Sequence, residues 1–255
     1  MIQEKNRRYL LKQLLAEDDR YKDVKIPTDE TGQKLLLRAL FNVRPAKFVS
    51  EEFLAVQNRY LQAELEEKGI TKLEDLTEIE PNLYIWQGDI TTLSVDGIVN
   101  AANNRMLGCF IPNHTCIDNA IHTFAGVQLR SACQDFMAEQ NHLEETGQAK
   151  ITSAYNLPSS YILHTVGPII HGALRQEDKD LLASCYQSCL ELAVENGLKT
   201  LAFCCISTGE FHFPQQEAAE IAVATVKEFQ AKHDVKVIFN VFKEEDKKIY
   251  EQLLG

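Results

Sequence analysis

From Pro81 onward, strand-type and helix-type segments alternate, and that alternation restricts this half of the chain to a sheet covered by helices. Leu83-Tyr84-Ile85-Trp86 and Gly97-Ile98-Val99 have the composition of strands. Ile117 to Gln140 reads as helix, and Tyr161 to Val166 as a strand stopped by Gly167-Pro168. Asp180 to Asn196 reads as a helix with Gly197 as its C-cap. Thr200 to Ile206 is a short apolar run of the kind a buried central strand gives. Pro214 to Lys232 is helical, with proline near its first turn, Val235 to Phe242 alternates, and a last helix follows. The region before Lys72 is different. Leu10, Leu11, Leu14 and Leu15 sit at helical spacing, and Leu35 to Phe41 forms a second run between Pro27 and Pro45. Ser50-Glu51-Glu52 has the signature of an N-cap and acidic first turn, opening a helix that stops near Gly69. No strand pattern is visible there. The chain thus divides into a helical N-terminal extension, 1–76, and an α/β domain, 77–255, with the boundary between Lys72 and Pro81.

Composition narrows the class. Seven cysteines, an odd number, in 255 residues do not read as a disulfide framework, so the thiols are expected to be reduced. No apolar stretch reaches the ~20 residues that span a bilayer. The opening residues Met1 to Asn6 are polar, so a cytoplasmic location is expected. The formal charge of -11 argues against a nucleic-acid footprint, which needs clustered Lys and Arg. It leaves room for a small anionic ligand, because backbone amides and helix N-termini bind phosphate inside acidic proteins.

Four segments at the ends of predicted strands are candidates for chemistry: Gly88-Asp89-Ile90-Thr91, Asn100 to Asn104, Leu107 to Asp118, and Ile206 to Phe211. Ligands of open α/β sheets bind beyond the strand C-termini. Taken singly, Gly-Asp and Asn-Asn are ordinary turn pairs.

Taken together, their order and spacing resemble the macrodomain family. Gly88-Asp89-Ile90 followed by Val95-Asp96-Gly97-Ile98-Val99-Asn100-Ala101-Ala102-Asn103 looks like the family's opening signature. Ile117 to His122 resembles its first helix. Gly147 to Thr152 and Leu157 to Pro168 match its middle, and Ile206-Ser207-Thr208-Gly209 with Phe213-Pro214 matches its phosphate loop. The resemblance spans roughly residues 80–245. It implies a three-layer α/β/α sandwich around a central mixed sheet, with ADP-ribose as ligand. Residue by residue, it implies that Asp89 accepts from the adenine amino group with Ile90 beside it. It places Asn103 at the distal ribose, with Asn100 supporting the loop from a buried position. It has Ser207, Thr208, Gly209 and Glu210 wrapping the diphosphate, and Phe211 lying along the distal ribose. Asp118 would orient a water or a ribose hydroxyl; as the residue opening a helix it is also a candidate N-cap.

One stretch departs from the ordinary family pattern. Between Leu107 and Asp118, where the family is glycine-rich, the chain reads Gly108-Cys109-Phe110-Ile111-Pro112-Asn113-His114-Thr115-Cys116-Ile117. Cys109, His114 and Cys116 have the spacing Cys-x4-His-x-Cys and are soft-to-borderline ligands suited to Zn²⁺. Three protein ligands leave one position open, as in catalytic zinc sites. The loop and the helical extension resemble the zinc-dependent bacterial subgroup related to the MacroD-type hydrolases. That resemblance implies release of mono-ADP-ribose from ester-linked Asp or Glu of a modified protein, with one Zn²⁺ per chain and Asn103 and Asp118 as catalytic residues. The zinc could generate hydroxide or could polarise and position a substrate oxygen. The alternatives are a reader that binds ADP-ribose without cleaving it, and a hydrolase of O-acetyl-ADP-ribose. Cys133, Cys185, Cys189, Cys204 and Cys205 show no comparable grouping and read as core, as His122 and His164 read as structural. His212 stands where the family usually has a small residue.

Overall fold

The computed structural model describes residues 2–255. Three helices come first: α1 (Ile2–Ala16), α2 (Glu30–Val43) and α3 (Glu51–Lys68). Side chains cap α2 and α3, the second at the serine that the sequence suggests. Asp29 Oδ1 accepts from the Gly32 N–H at 2.7 Å, and Ser50 Oγ accepts from the Phe53 N–H at 3.1 Å. Gly69 ends α3 at φ +86, a conformation that costs glycine no Cβ clash. α1 packs on both α2 and α3. Leu10, Leu14, Leu37, Phe41, Phe53 and Leu61 bury one another in a core distinct from that of the sheet, and Val127 is the sheet domain's contribution to it.

The rest of the chain builds the sandwich. Its elements are β1 (Thr71–Lys72), β2 (Glu78–Glu80), β3 (Leu83–Gln87), β4 (Leu93–Ser94), β5 (Gly97–Ala101), α4 (Ile117–Ala125), α5 (Val127–Gln140), β6 (Ala149–Ser153), β7 (Tyr161–Thr165), α6 (Gln176–Glu195), β8 (Thr200–Phe203), α7 (Gln215–Gln230), β9 (Lys236–Val241) and α8 (Glu244–Leu254). The main sheet has the order β2-β3-β9-β8-β5-β7-β6. Its interior pairs are parallel, and only the edge strands β2 and β6 run antiparallel to their neighbours, which makes the sheet mixed. Parallel strands covered on both faces need apolar side chains on both faces. Ile98, Val99, Leu201, Ala202, Val237 and Ile238 meet that requirement and are fully buried. Helices flank the sheet as the three-layer reading expects. No helix among the described residues is long and apolar enough to cross a membrane.

Four local differences from the sequence reading have physical reasons. The expected single helix over Ile117 to Gln140 is two helices, broken at Gly126 with φ +99. The break is filled by α3: Gln57 Oε1 accepts from the Val127 N–H at 3.0 Å, and a Cβ on Gly126 would come within 2.6 Å of Gln57 Nε2. Edge strands β2 and β6 are short and largely polar, so neither carries the apolar run that reveals the inner strands. Thr71–Lys72, in the region read as strand-free, pairs with Leu93–Ser94 in a two-residue ladder too short to leave a pattern. α6 starts at Gln176, about a turn early, because Asp178 Oδ2 accepts from the Arg175 N–H at 3.0 Å.

Candidate active site

Strands β3, β5, β7 and β8 are mutually parallel through the sheet, so their carboxyl ends and the loops leaving them lie along one edge. The loop after β3 carries Asp89, which caps a short 3-10 turn. Asp89 Oδ1 accepts from the Thr91 N–H at 3.0 Å and from Thr91 Oγ1 at 2.6 Å. Its Oδ2 takes a 3.0 Å ion pair from Lys68, the last residue of α3. The Lys68 ammonium also sits 3.4 Å from the centroid of the Phe124 ring of α4. Burial raises the Asp89 pKa, but the Thr91 hydroxyl and Lys68 outweigh it and hold the carboxyl below its ordinary value. Asp89 therefore presents a negative acceptor at neutral pH. The Ile90 side chain is 1% exposed and packs into the sheet core. Lys68 is a site residue that sequence reasoning did not single out, since a lysine ending a helix is unremarkable until the fold brings it to Asp89.

The loop after β5 gathers a polar knot. Asn100 is fully buried and donates from Nδ2 to Asp118 Oδ1 at 2.9 Å. Asn103 Nδ2 donates to Asp118 Oδ2 at 3.2 Å and to the Gly108 carbonyl at 3.1 Å, while its Oδ1 accepts from the Arg105 N–H at 3.0 Å. Asp118 is not the helix cap: the N-cap position of α4 is Cys116, and both Asp118 oxygens are engaged by the two asparagines. Burial pushes its pKa up to about 6, against the pull of Asn100, Arg130 and Asn103. His122 Nε2 lies 3.6 Å from Asp118 Oδ1. Burial, then the nearby Arg130 and His164, hold His122 well below the usual histidine range, so its ring is neutral.

The departing segment folds into a ligand set. The donor atoms of Cys109, His114 and Cys116 all lie within 4.8 Å of one another. Cys109 Sγ is 3.7 Å from His114 Nδ1, close to the S-to-N edge of about 3.6 Å expected for a tetrahedral Zn²⁺ with ordinary bond lengths. Burial pushes the Cys116 thiol up to about 12; the Asn119 N–H pulls the other way, and Cys109 and Asp118 add to the rise. Two thiolates beside a carboxylate are unfavourable without a cation, and a divalent soft metal removes that conflict, so the residues fit zinc. The other imidazole nitrogen of His114 is 3.7 Å from Glu210 Oε1. That contact brings the loop after β8 beside the metal ligands.

In the loop after β8, Thr208 N–H donates to the Cys205 carbonyl at 3.4 Å, His212 N–H to the Gly209 carbonyl at 3.1 Å, and Phe213 N–H to the Ser207 carbonyl at 3.0 Å. Ser207 and His212 adopt left-handed φ values of 65 and 57. A Cβ on Gly209 would meet nothing within 4 Å, so the loop is open on that side. Ser207 Oγ is buried with no partner. Glu210 is exposed and Phe211 half-buried. Nothing in the structure explains the histidine at 212, whose side chain is exposed.

One expectation needs correction. Cys133 was expected to stand apart, but its Sγ lies with His122 and His164 in a fully buried group whose donor atoms are within 4.8 Å of one another. His164 has both ring nitrogens occupied, Nδ1 accepting from Asn100 Nδ2 at 3.1 Å and Nε2 meeting Thr152 Oγ1 at 2.9 Å. Burial holds it down at about 3, hence neutral. The group is therefore a buried support beneath Asp118 in which His164 carries the hydrogen bonds, while both ring nitrogens of His122 are buried without a partner. Sequence could not reveal it, because its members come from α4, α5 and β7.

Comparison with known proteins identifies the family. The family model described as Macro domain matches residues 99–222. The chain is 56% identical to a protein-ADP-ribose hydrolase of Treponema medium, with 100% of each chain covered. Among solved structures, it is similar to an Oceanobacillus iheyensis macrodomain with ADP (39% identity, TM-score 0.64, 70% of this chain and 93% of that one). It is also similar to a Trypanosoma brucei macrodomain in complex with ADP-ribose (31% identity, TM-score 0.66, 86% and 95%). On its fold, its strand-end loops and these matches, the chain belongs to the Macro domain family.

Proposed function

We propose that this chain is a protein-ADP-ribose hydrolase that uses zinc and releases mono-ADP-ribose from modified Asp and Glu side chains. The observation that carries the reading is the convergence of Cys109, His114 and Cys116 on the same short segment as Asp118, itself bonded to Asn103 at the end of β5. A module that only binds ADP-ribose needs neither the ligand triad nor a buried carboxylate.

The residues divide the work. Asp89 Oδ2 offers its remaining lone pair to the adenine amino group, beside Lys68. The open face of the Ser207 to Phe211 loop receives the diphosphate on backbone N–H groups. Both Asn103 amide hydrogens are committed, so it meets the distal ribose through Oδ1, as an acceptor for a hydroxyl. Asp118 keeps one free lone pair on each oxygen and orients water. Cys109, His114 and Cys116 would hold the zinc, which when bound supplies a Lewis-acid contact for a substrate oxygen at the position they leave open. A carboxylate is a better leaving group than the guanidine of an arginine linkage, and no strong dedicated acid faces the site. Ester-linked ADP-ribose is therefore the favoured substrate.

The test is release of free ADP-ribose from mono-ADP-ribosylated protein carrying either carboxylate or arginine linkages. Release from the carboxylate-linked protein, its loss on chelation and its return with zinc are expected. Full activity of metal-free protein would remove the zinc from the reading, and equal rates on both linkages would remove the ester preference.

A further inference from the structure

Between Gly108 and the start of α4 the metal-ligand segment has no regular secondary structure, and Phe110 and Ile111 at its tip are exposed. Its one short internal backbone bond runs from the His114 N–H to the Ile111 carbonyl at 3.2 Å. Side chains hold the rest of its backbone. Asn119 of α4 donates from Nδ2 to the Ile111 carbonyl at 3.0 Å and, at 3.5 Å, to that of Cys109. The other anchors come from α2, more than seventy positions earlier. Arg38 Nη2 donates to the His114 carbonyl at 2.9 Å and to Asn119 Oδ1 at 3.0 Å. Asn42 Oδ1 accepts from the Asn113 N–H at 2.9 Å, and Asn42 Nδ2 donates to Thr123 Oγ1 at 2.8 Å. Asn113 takes a left-handed φ of 54, which asparagine tolerates. Asn42 and Asn119 are essentially fully buried.

We infer that α2 of the N-terminal helices is part of the metal site, with Arg38 and Asn42 as positioning residues that set the backbone of Asn113 and His114 and so the directions of the ligand side chains. This rests on the zinc reading above. The argument is one of preorganisation. A loop free to sample many conformations loses affinity for the metal by the entropy of ordering, and anchors made before the metal arrives remove that cost. Arg38 acts at a ligand residue itself and, through Asn119, at the Cys109 end of the loop, so one guanidinium ties both ends. Its Nε is buried without a partner, and both its hydrogen bonds leave from Nη2. Arg130 of α5 joins the same frame, donating to the Leu107 carbonyl at 2.8 Å before the loop and to the Phe41 carbonyl of α2 at 3.1 Å.

The experiment measures zinc affinity of the full chain by competition with a chromophoric chelator, and the visible absorption of the Co²⁺-loaded protein, for wild type, Arg38→Ala, Arg38→Lys, Asn42→Ala and Asn42→Asp. Metal-free melting temperature and ADP-ribose affinity are measured alongside. Residues that support metal ligands typically carry 10–100-fold of metal affinity. Arg38→Ala and Asn42→Ala should weaken zinc by about tenfold or more and alter the Co²⁺ spectrum, with ADP-ribose affinity within about twofold of wild type. Asn42→Asp keeps the acceptor for the Asn113 N–H but loses the donor to Thr123 Oγ1, so its zinc affinity should lie above that of Asn42→Ala and below wild type. Arg38→Lys keeps enough N–H groups on one nitrogen for both acceptors, but that nitrogen falls one bond short of the Nη2 position, so its zinc affinity should fall between. Unchanged zinc affinity and Co²⁺ spectrum in the folded variants would overturn the inference, as would equal losses of zinc and ADP-ribose affinity. Should the alanine variants fail to fold, Arg38→Lys decides alone, wild-type zinc affinity counting against the inference. A wild-type chain that binds no zinc would instead overturn the zinc reading on which this rests.

Discussion

The two loops that meet at His114 and Glu210 are built on opposite principles. The loop after β8 is shaped largely by its own backbone: bonds from Thr208, His212 and Phe213 close within the loop and two residues at positive φ make the turns, with an outside bond from the Ile170 N–H to the Phe211 carbonyl at 2.9 Å. The metal-ligand loop after β5 borrows its shape from Arg38, Asn42 and Asn119, side chains of α2 and α4. A loop closed on its own backbone keeps its form when distant elements are altered, whereas a loop anchored from outside depends on them. On the proposed reading, ADP-ribose recognition by Asp89 and the β8 loop should therefore be separable from bond cleavage by the metal-ligand loop and Asp118.

The largest effect expected to sharpen this contrast is at Asp118. Asp118→Ala should lower turnover by about 10²–10⁴, the usual contribution of a positioned acid or base, with far less change in ADP-ribose affinity. Parallel falls in rate and affinity, compared by single-turnover kinetics and calorimetry, would reduce Asp118 to a structural support. Next come the ligands. Cys109→Ala, His114→Ala or Cys116→Ala should cost on the order of 10²–10³ in turnover, comparable with removal of one preorganised electrostatic group. The same variants should bind ADP-ribose nearly as wild type does and melt at a similar temperature; a collapse of both would show that the two loops are not independent. On the binding side, Asp89→Ala removes a charge-assisted acceptor worth about 1.5–3 kcal/mol, so calorimetry should show affinity falling roughly ten- to a hundredfold. Because the folded-state pKa of Asp89 lies below its ordinary value, its ionised form persists at neutral pH. Its contribution is fully present above the unfolded value of about 3.9 and is lost only as the pH falls through the lower folded value. The smallest effect is at the junction between helices and cleft. Lys68→Ala breaks a half-exposed ion pair and should cost under about 1 kcal/mol of stability in a thermal melt.

Much of this was legible in the sequence, and the reasons differ by region. The inner strands β5 and β8 announced themselves because a covered parallel sheet demands apolar residues on both faces, and β9 showed as an alternating run. The grouping of Cys109, His114 and Cys116 was legible because Cys-x4-His-x-Cys sits within eight consecutive positions, so chain connectivity already holds them near one another. Asp89, Asn103 and the β8 loop could be proposed from their places after strands, where ligands of α/β sheets bind. Part of the support beneath Asp118 was legible, since Asn100 falls in a matched motif and reads as buried; the gathering of Cys133 with His122 and His164 was not, because they come from three separate elements.

The sequence by itself determined the alternation of strands and helices, the cap at Ser50, and the local clustering of Cys109, His114 and Cys116. These depend on interactions among residues a few positions apart, which composition and spacing encode directly. The tertiary structure alone decided that α3 breaks the α4–α5 helix at Gly126 through Gln57, that Lys68 reaches Asp89, and that Arg38 and Asn42 anchor the metal-ligand loop. Each of those contacts spans twenty or more positions and forms only when two separately buried cores are pressed together, so no local pattern carries them.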